Sequence, residues 1–435
     1  MAFTFLHTGD WHIGKPFGSF PSEHGAKLRG ARLDAIDRLA AAAIEGRADH
    51  VLVAGDTFDR PNLADRDVRG PVEQMRAFTQ LTWHVIPGNH DAATPGGVWE
   101  RVRRGGLPDN VRLHLEARPI EISKACWLLP APLAARTMAH DPTAWMDAAP
   151  TPEGAVRIGL AHGSVQGFGS ERSASIEIAP DRPIRAGLAY LALGDWHGSR
   201  QINPRAWYAG TPEPDGFLDN APGNALLVTI EGPGAAPLVQ RREIGTYRWL
   251  ERQIGTARTS DLAALEGEIE GLGARARHVL LAVEVAGRVS LEQDREIRSR
   301  LDRLDGRVFY LARRLERMTL GIAADDIDRL GAGPLREIGR DLAAIAAIKT
   351  HEDFARVIGA LGGRAHLIGV IGNDANGTVV QQLADAECTS SLVVVDGRPT
   401  TEKVRVRDGT RHLLRIDHEV TTPVSADDEA QLLAA

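Results

Sequence analysis

The stretch HVLVAGDTFD, residues 50–59, decides how the first half of the chain is read. Its opening five residues form a near-continuous apolar run, the pattern of a strand buried on both faces in a parallel sheet. A glycine and two carboxylates follow at once, so the run ends in a polar turn. Segments of the same design flank it: TFLHTGD ahead of it and LTWHVIPG behind it. Between them lie helical patterns. Residues 26–46 set Leu28, Leu33, Ile36, Leu39, Ala40, Ala43 and Ile44 close to helical spacing, with Arg29, Arg32, Asp34 and Asp37 on other faces. A polar helical segment covers residues 64–80. This strand–helix–strand–helix–strand order predicts parallel crossovers in an α/β layer structure.

Further strands are expected at VRLHLE, CWLLPAP, RIGLAHG, LAYLALG, AWYAG, NALLVTI and LVQRREI. Their short connections predict a second, more antiparallel part of the sheet system. At 435 residues the chain has room for two or three domains, since single cores rarely grow past about 250–300 residues. A first domain is expected over residues 1–245, a small α/β accessory domain over 246–345, and a segment of different character over 354–435.

Composition narrows the class. With 43% hydrophobic and 25% charged residues the chain reads as globular, and no run approaches the roughly 20 apolar residues of a membrane span. No signal peptide is expected at MAFTFLHTGD. Only Cys126 and Cys388 are present, which excludes a disulfide framework and a thiolate zinc cage and points to the cytoplasm. A net charge of −7 disfavours a general basic coat for nucleic acid, yet carboxylates that hold cations lower the count in the same way.

Five loops place a glycine beside Asp, His or Asn directly after a strand: GDWH (9–12), GDTFD (55–59), GNHD (88–91), AHG (161–163) and GDWH again (194–197). Strand ends of this kind line site crevices in α/β folds. Residues i and i+2 of an extended segment point to one side, so Asp10 and His12 are expected to serve one ion from one strand end. Any one of these motifs alone is ordinary turn chemistry. The ordered set supplies oxygen and imidazole donors without thiolate, which suits Mn²⁺, Fe²⁺ or Zn²⁺, and its seven or eight donors suit two ions.

In this order the loops resemble those of the calcineurin-like metallophosphoesterases. HTGDWHIGKPF, VLVAGDTFDRPN and VIPGNHD are most similar to the SbcD-type DNA repair exonucleases. The resemblance covers roughly residues 1–345. It implies a four-layer sandwich of two mixed β-sheets flanked by helices, with two divalent ions, expected to be Mn²⁺. By resemblance Asp10, His12 and His197 hold one ion, Asn89, His162 and Asp195 the other, and Asp56 bridges them. His90 matches the catalytic histidine, which stabilises the transition state or protonates the leaving oxygen. Two such ions, about 3.5–4 Å apart, activate water and clamp both oxygens of an in-line displacement at phosphorus. The function implied is exonuclease, with endonuclease activity also open, in DNA repair. Hydrolysis of small phosphodiesters or nucleotides is the alternative, and a catalytically impaired scaffold a third. Implied partners are DNA, a coiled-coil ATPase of SbcC type and a second copy of the chain; no membrane partner is expected.

Two positions depart from the family pattern. Asp195 stands where a histidine is usual, and Asp59 where some relatives place a histidine. His7, His50 and His84 are expected to pack or hydrogen-bond. His24 is placed in a polar loop able to approach DNA, and Arg101, Arg103 and Arg104 on a solvated face. Tyr208, Gly210 and Pro212 are expected to shape the substrate cleft. Residues 354–435, containing ALGGRAHLIGVIGNDANGTVVQQLADAECTSSLVVVDGRPTTEKVRVRDG, resemble an internal piece of a ribokinase-type (PfkB) heptose kinase. The piece lacks that family's Gly-Ala-Gly-Asp loop, so no kinase activity is expected. A seam is placed near 346–354, next to the helix LREIGRDLAAIAA, which would dock the ATPase.

Overall fold

The computed structural model describes residues 2–167, 176–218, 220–255, 259–320, 366–387, 389–400, 402–408, 411–418 and 423–434. The helix expected to dock a partner and the seam expected at 346–354 lie outside the described residues. The chain divides into two compact units, Met1–Gly287 with Glu296–Met318, and Arg288–Arg295 with Thr319–Ala435.

Within the first unit the strands are β1 (Phe3–Thr8), β2 (His50–Ala54), β3 (Thr82–Ile86), β4 (Val111–Leu113), β5 (Ile120–Ser123), β6 (Cys126–Ala131) and β7 (Val156–His162). They continue with the short pair β8 (Ser164–Val165) and β9 (Glu177–Ile178), then β10 (Tyr190–Gly194), β11 (Arg200–Asn203), β12 (Ala206–Tyr208), β13 (Asn224–Ile230) and β14 (Leu238–Glu243). Two six-stranded mixed sheets result, ordered β14-β13-β1-β2-β3-β4 and β11-β12-β10-β7-β6-β5. In the first, β1 to β4 run parallel, as the crossover pattern predicts.

The second sheet corrects the expectation of a more antiparallel part. Strands β6, β7, β10 and β12 are parallel neighbours, and only the edge strands β5 and β11 pair antiparallel. Among the described residues, the crossovers here carry a five-residue 3₁₀ turn, Ala144–Ala148, and a four-residue helix, Arg182–Arg185. Neither is long enough to show a helical period in sequence.

Side-chain alternation builds the layers. Phe5, Leu52, Ala54, Ile158, Leu160, Tyr190 and Ala192 share one core between the sheets. The opposite face of the first sheet, with Leu6, Val51, Val53, Trp83 and Val85, packs on helices α1 (Ser22–Glu45), α2 (Asp65–Ala77) and α3 (Val98–Gly105). Leu129, Ala161, Leu191 and Leu193 face Met146, Ala186 and Leu188 of the short crossovers, around α4 (Arg182–Arg185). The fold is therefore the sandwich of two mixed sheets between helical layers. Because the central strands are parallel, their C-terminal ends share one edge, where the five glycine-bearing loops emerge.

After β14 come strand β15 (Arg248–Gly255), helix α5 (Thr259–Gly271), strand β16 (Val279–Val289), helix α6 (Leu291–Asp305) and strand β17 (Tyr310–Arg314). The three strands pair in parallel, β15-β16-β17. Phe20, Tyr247, Trp249, Phe309 and Tyr310 form an aromatic joint between this sheet and the start of α1. His24 belongs to that joint rather than to a loop facing substrate. It lies in α1, and its Nε2 is 3.0 Å from the Phe309 carbonyl.

In the second unit, His366–Gly372 pairs in parallel with Thr389–Val395, and Glu402–Asp408 pairs antiparallel with Arg411–His418. Ile368 and Val394, on the parallel pair, are 51% and 52% exposed.

Candidate metal centre

Three of the five loops follow β1, β2 and β3, and two follow β7 and β10 of the facing sheet. The first two are zipped together: Asp10 N donates to Gly55 O at 3.1 Å, His12 N to Asp56 O at 2.9 Å, and Asp59 N to Ile13 O at 3.0 Å. Asp10, His12, Asp56 and Asp195 all adopt positive φ, at 54°, 44°, 51° and 108°. Side chains other than glycine rarely occupy this region, and such outliers gather where function requires them. The same angles correct the i, i+2 argument. Strand β1 ends at Thr8, so Asp10 and His12 converge through a left-handed loop, while Trp11 turns into the core and donates to Thr8 Oγ1 at 3.0 Å.

Glycines set how closely the loops approach. A Cβ on Gly194 would lie 1.9 Å from the Ala54 carbonyl, and one on Gly88 would lie 2.2 Å from Asp56 Oδ1. Neither position has room for a side chain.

All the expected site residues are brought to this edge. Asp10, His12 and His197 place one donor atom each within 4.8 Å of one another, as do Asp10, Asp56 and His162. The Nε2 atoms of His12 and His197 face each other at 3.1 Å. His162 Nδ1 donates to Ala54 O at 2.8 Å, which fixes its tautomer and leaves Nε2 fully buried without a hydrogen-bond partner. That Nε2 is 3.5 Å from Asp56 Oδ2 and 3.8 Å from Asp195 Oδ1. Asn89 Oδ1 is likewise buried and unpartnered. Asp195 receives Ser164 Oγ on Oδ2 at 2.6 Å, which leaves Oδ1 toward His162.

His90 stands beside these groups. Its backbone N donates to Asp56 Oδ1 at 2.9 Å, and its Nδ1 to the Asp59 carbonyl at 2.8 Å, so Nε2 is the free ring nitrogen. His90 can also join His12 and Asp56 as a donor group within 4.8 Å.

Electrostatics report the crowding of donors. Burial, partly offset by His162 and His197, pushes Asp10 up to about 6. Burial would lower His162, but the Asp56, Asp10 and Asp195 carboxylates hold it at about 9. Burial and the neighbouring His197 keep His12 well below the usual imidazole range. Orphaned acceptor atoms on Asn89 and His162, two facing imidazole nitrogens and a cluster of carboxylates form a donor set that fits divalent cations. A cation at this place reverses the local logic, drawing the protons off.

Several outer residues escaped the sequence reading. Asp91 is fully buried and receives Gly88 N at 2.6 Å and Phe58 N at 3.0 Å, bracing the GNHD and GDTFD loops together. Arg32, expected on a face other than the apolar stripe, is 2% exposed. Its guanidinium donates to Trp11 O at 2.9 Å and to Asp215 at 2.9 Å. The signal was present: Arg32 sits four residues from both Leu28 and Ile36, on the stripe that helical spacing buries. Tyr208 is fully buried, donating to Gly163 O at 2.8 Å and accepting from Val165 N at 2.9 Å. It braces the loop after His162 instead of lining a cleft. Arg101 pairs with Asp65 at 2.5 Å.

Residues 3–170 match the family described as calcineurin-like phosphoesterase. The uncharacterized metallophosphoesterase YhaO of Bacillus subtilis is 23% identical over 285 residues, 61% of this chain and 66% of that protein. The DNA double-strand break repair protein Mre11 of Aeropyrum pernix is 34% identical over 91 residues, 21% of each chain. The bifunctional protein HldE of Caulobacter vibrioides is 45% identical over 83 residues, 19% of this chain and 17% of that protein. The chain therefore spans less than two thirds of the length of the relatives it matches.

Proposed function

We propose that this chain, whose residues 3–170 match the calcineurin-like phosphoesterase family, is a two-metal phosphodiesterase that acts on DNA. The observation that carries the reading is the convergence of Asp10, His12, Asp56, His162 and His197 at one sheet edge, with His162 Nε2 and the nearby Asn89 Oδ1 buried and unpartnered. Asp10, His12 and His197 would hold one ion, Asn89, His162 and Asp195 the other, with Asp56 between them. Bound there, two Mn²⁺ ions would supply Lewis-acid activation of water and of the phosphoryl oxygens.

The chain's own residues supply the rest. The Asp59 carbonyl pins His90 by Nδ1–H and leaves Nε2 free; with the ring doubly protonated, Nε2–H can give its proton to the leaving oxygen or donate a hydrogen bond to a phosphoryl oxygen. Asn89 contributes a neutral oxygen, which leaves the centre more electrophilic than a further carboxylate would. DNA as substrate is supported by the resemblance of the loops to those of SbcD-type nucleases and by the match to a DNA double-strand break repair protein.

Purified protein incubated with Mn²⁺ and end-labelled duplex DNA tests the reading. Release of label that disappears in Asp56→Ala is expected. Turnover of bis(p-nitrophenyl) phosphate with DNA left intact would replace DNA by small diesters, and neither activity would leave a scaffold.

A further inference from the structure

Asp215 belongs to none of the loops that converge on the centre, yet it faces one of the histidines directly. Its Oδ1 is 3.2 Å from His197 Nδ1, while its Oδ2 receives Lys15 Nζ at 2.5 Å and Arg32 at 2.9 Å. The carboxylate is only 4% exposed. Both oxygens are thus engaged by the protein, and two cations clamp the one that does not face the histidine. A carboxylate fixed in this way accepts a hydrogen bond from His197 Nδ1–H and cannot turn away from it.

The clamp is itself anchored. Arg32 donates to the Trp11 carbonyl, inside the first GDWH loop, and to Thr211 Oγ1 and the Glu213 carbonyl at 3.3 Å each. Thr211 N donates to the His197 carbonyl at 3.0 Å. One buried guanidinium therefore ties the loop of Asp10 and His12 to the segment that carries Asp215, and through it to the second GDWH loop.

We infer that Asp215 is a positioning residue that sets the tautomer and ring direction of His197, so that the His197 Nε2 lone pair points to the same place as that of His12. The geometry supplies the reason. His12 Nε2 and His197 Nε2 lie 3.1 Å apart, a separation suited to two donors on one ion. That arrangement requires the His197 proton on Nδ1, and Asp215 Oδ1 is its acceptor. Carboxylate–histidine pairs of this kind raise ligand basicity, and their loss typically costs about 10–100-fold in metal affinity.

This inference rests on the metal-centre reading above, and the test keeps the two apart. Chelator-stripped wild type, Asp215→Asn, His197→Ala and the double variant are titrated with Mn²⁺ by calorimetry, with free Mn²⁺ followed by electron paramagnetic resonance. Wild type is expected to bind two ions. Asp215→Asn should weaken one of them by about 10–100-fold, the same one that His197→Ala weakens. On the His197→Ala background Asp215→Asn should add little, because its effect runs through that ring. Asp215→Glu, which keeps the charge that Lys15 and Arg32 need, should fold and recover part of the loss; this variant carries the test should Asp215→Asn prove unstable. Wild-type affinity in Asp215→Asn, full wild-type affinity in a folded Asp215→Glu when Asp215→Asn does not fold, or an equal loss with and without His197, overturns the inference and leaves the metal centre standing. Fewer than two ions in wild type overturns the centre itself and the inference with it.

Discussion

His90 and Arg32 mark two different ways in which single residues serve this site. His90 is held by its backbone N on Asp56 and its Nδ1 on the Asp59 carbonyl, touching the reacting region without a necessary ligand role. His90→Asn should lower kcat by about 10²–10⁴ while Mn²⁺ affinity stays at the wild-type value. A parallel loss of metal would instead make His90 a ligand. Arg32 does no chemistry, but its removal strands the Asp215 carboxylate in a buried setting. Arg32→Met should cost about 3–5 kcal/mol in urea unfolding without metal, as expected when one partner of a buried pair is deleted. At this scale the ligand types were legible in the sequence, because glycine beside Asp, His or Asn after an apolar run is a local pattern. The residues that hold them were not. Asp215 reaches His197 from 18 positions away, and Arg32 reaches Asp215 from 183, separations that carry no local signal.

Among the elements, strands β2 and β3 and the residue just after β4 carry a row of histidines. His50 Nδ1 lies 3.0 Å from His84 Nε2, and His84 Nδ1 lies 3.0 Å from His114 Nε2. Burial lowers all three, His114 to about 4, and the neighbouring rings lower His84 further. The unfolded chain binds protons near pH 6.5 while His84 and His114 stay neutral in the fold, so their stabilising contribution is present above that pH and is lost below it. Each such histidine contributes a slope of up to about 1.4 kcal/mol per pH unit below 6.5. Thermal melts in chelator between pH 7 and 5 should therefore fall more steeply for wild type than for His84→Phe; equal slopes would contradict this. His50 and His84 read correctly as hydrogen-bonding residues, but the row itself depends on strand register. The parallel strands of the first sheet were visible as apolar runs separated by helical periods. The parallel centre of the second was hidden, because the helical pieces described in its crossovers are too short to show a period.

Over the whole molecule, every residue assigned to the centre or its bracing lies between Asp10 and Asp215, in the first compact unit. The described strands after residue 366 share none of those residues. A chain ending before residue 354 should keep the Mn²⁺ stoichiometry and diester turnover of the full chain, and the full chain should transfer no phosphate from ATP to a heptose phosphate. Loss of metal on truncation would make the C-terminal segment part of the working enzyme. The most direct test of the central claim is the number of Mn²⁺ ions retained per chain after stripping, reloading and gel filtration, in wild type and in Asp56→Ala. Two ions in wild type and at most one in Asp56→Ala is the expected result; none in wild type, or two in the variant, would contradict a two-metal centre built around Asp56.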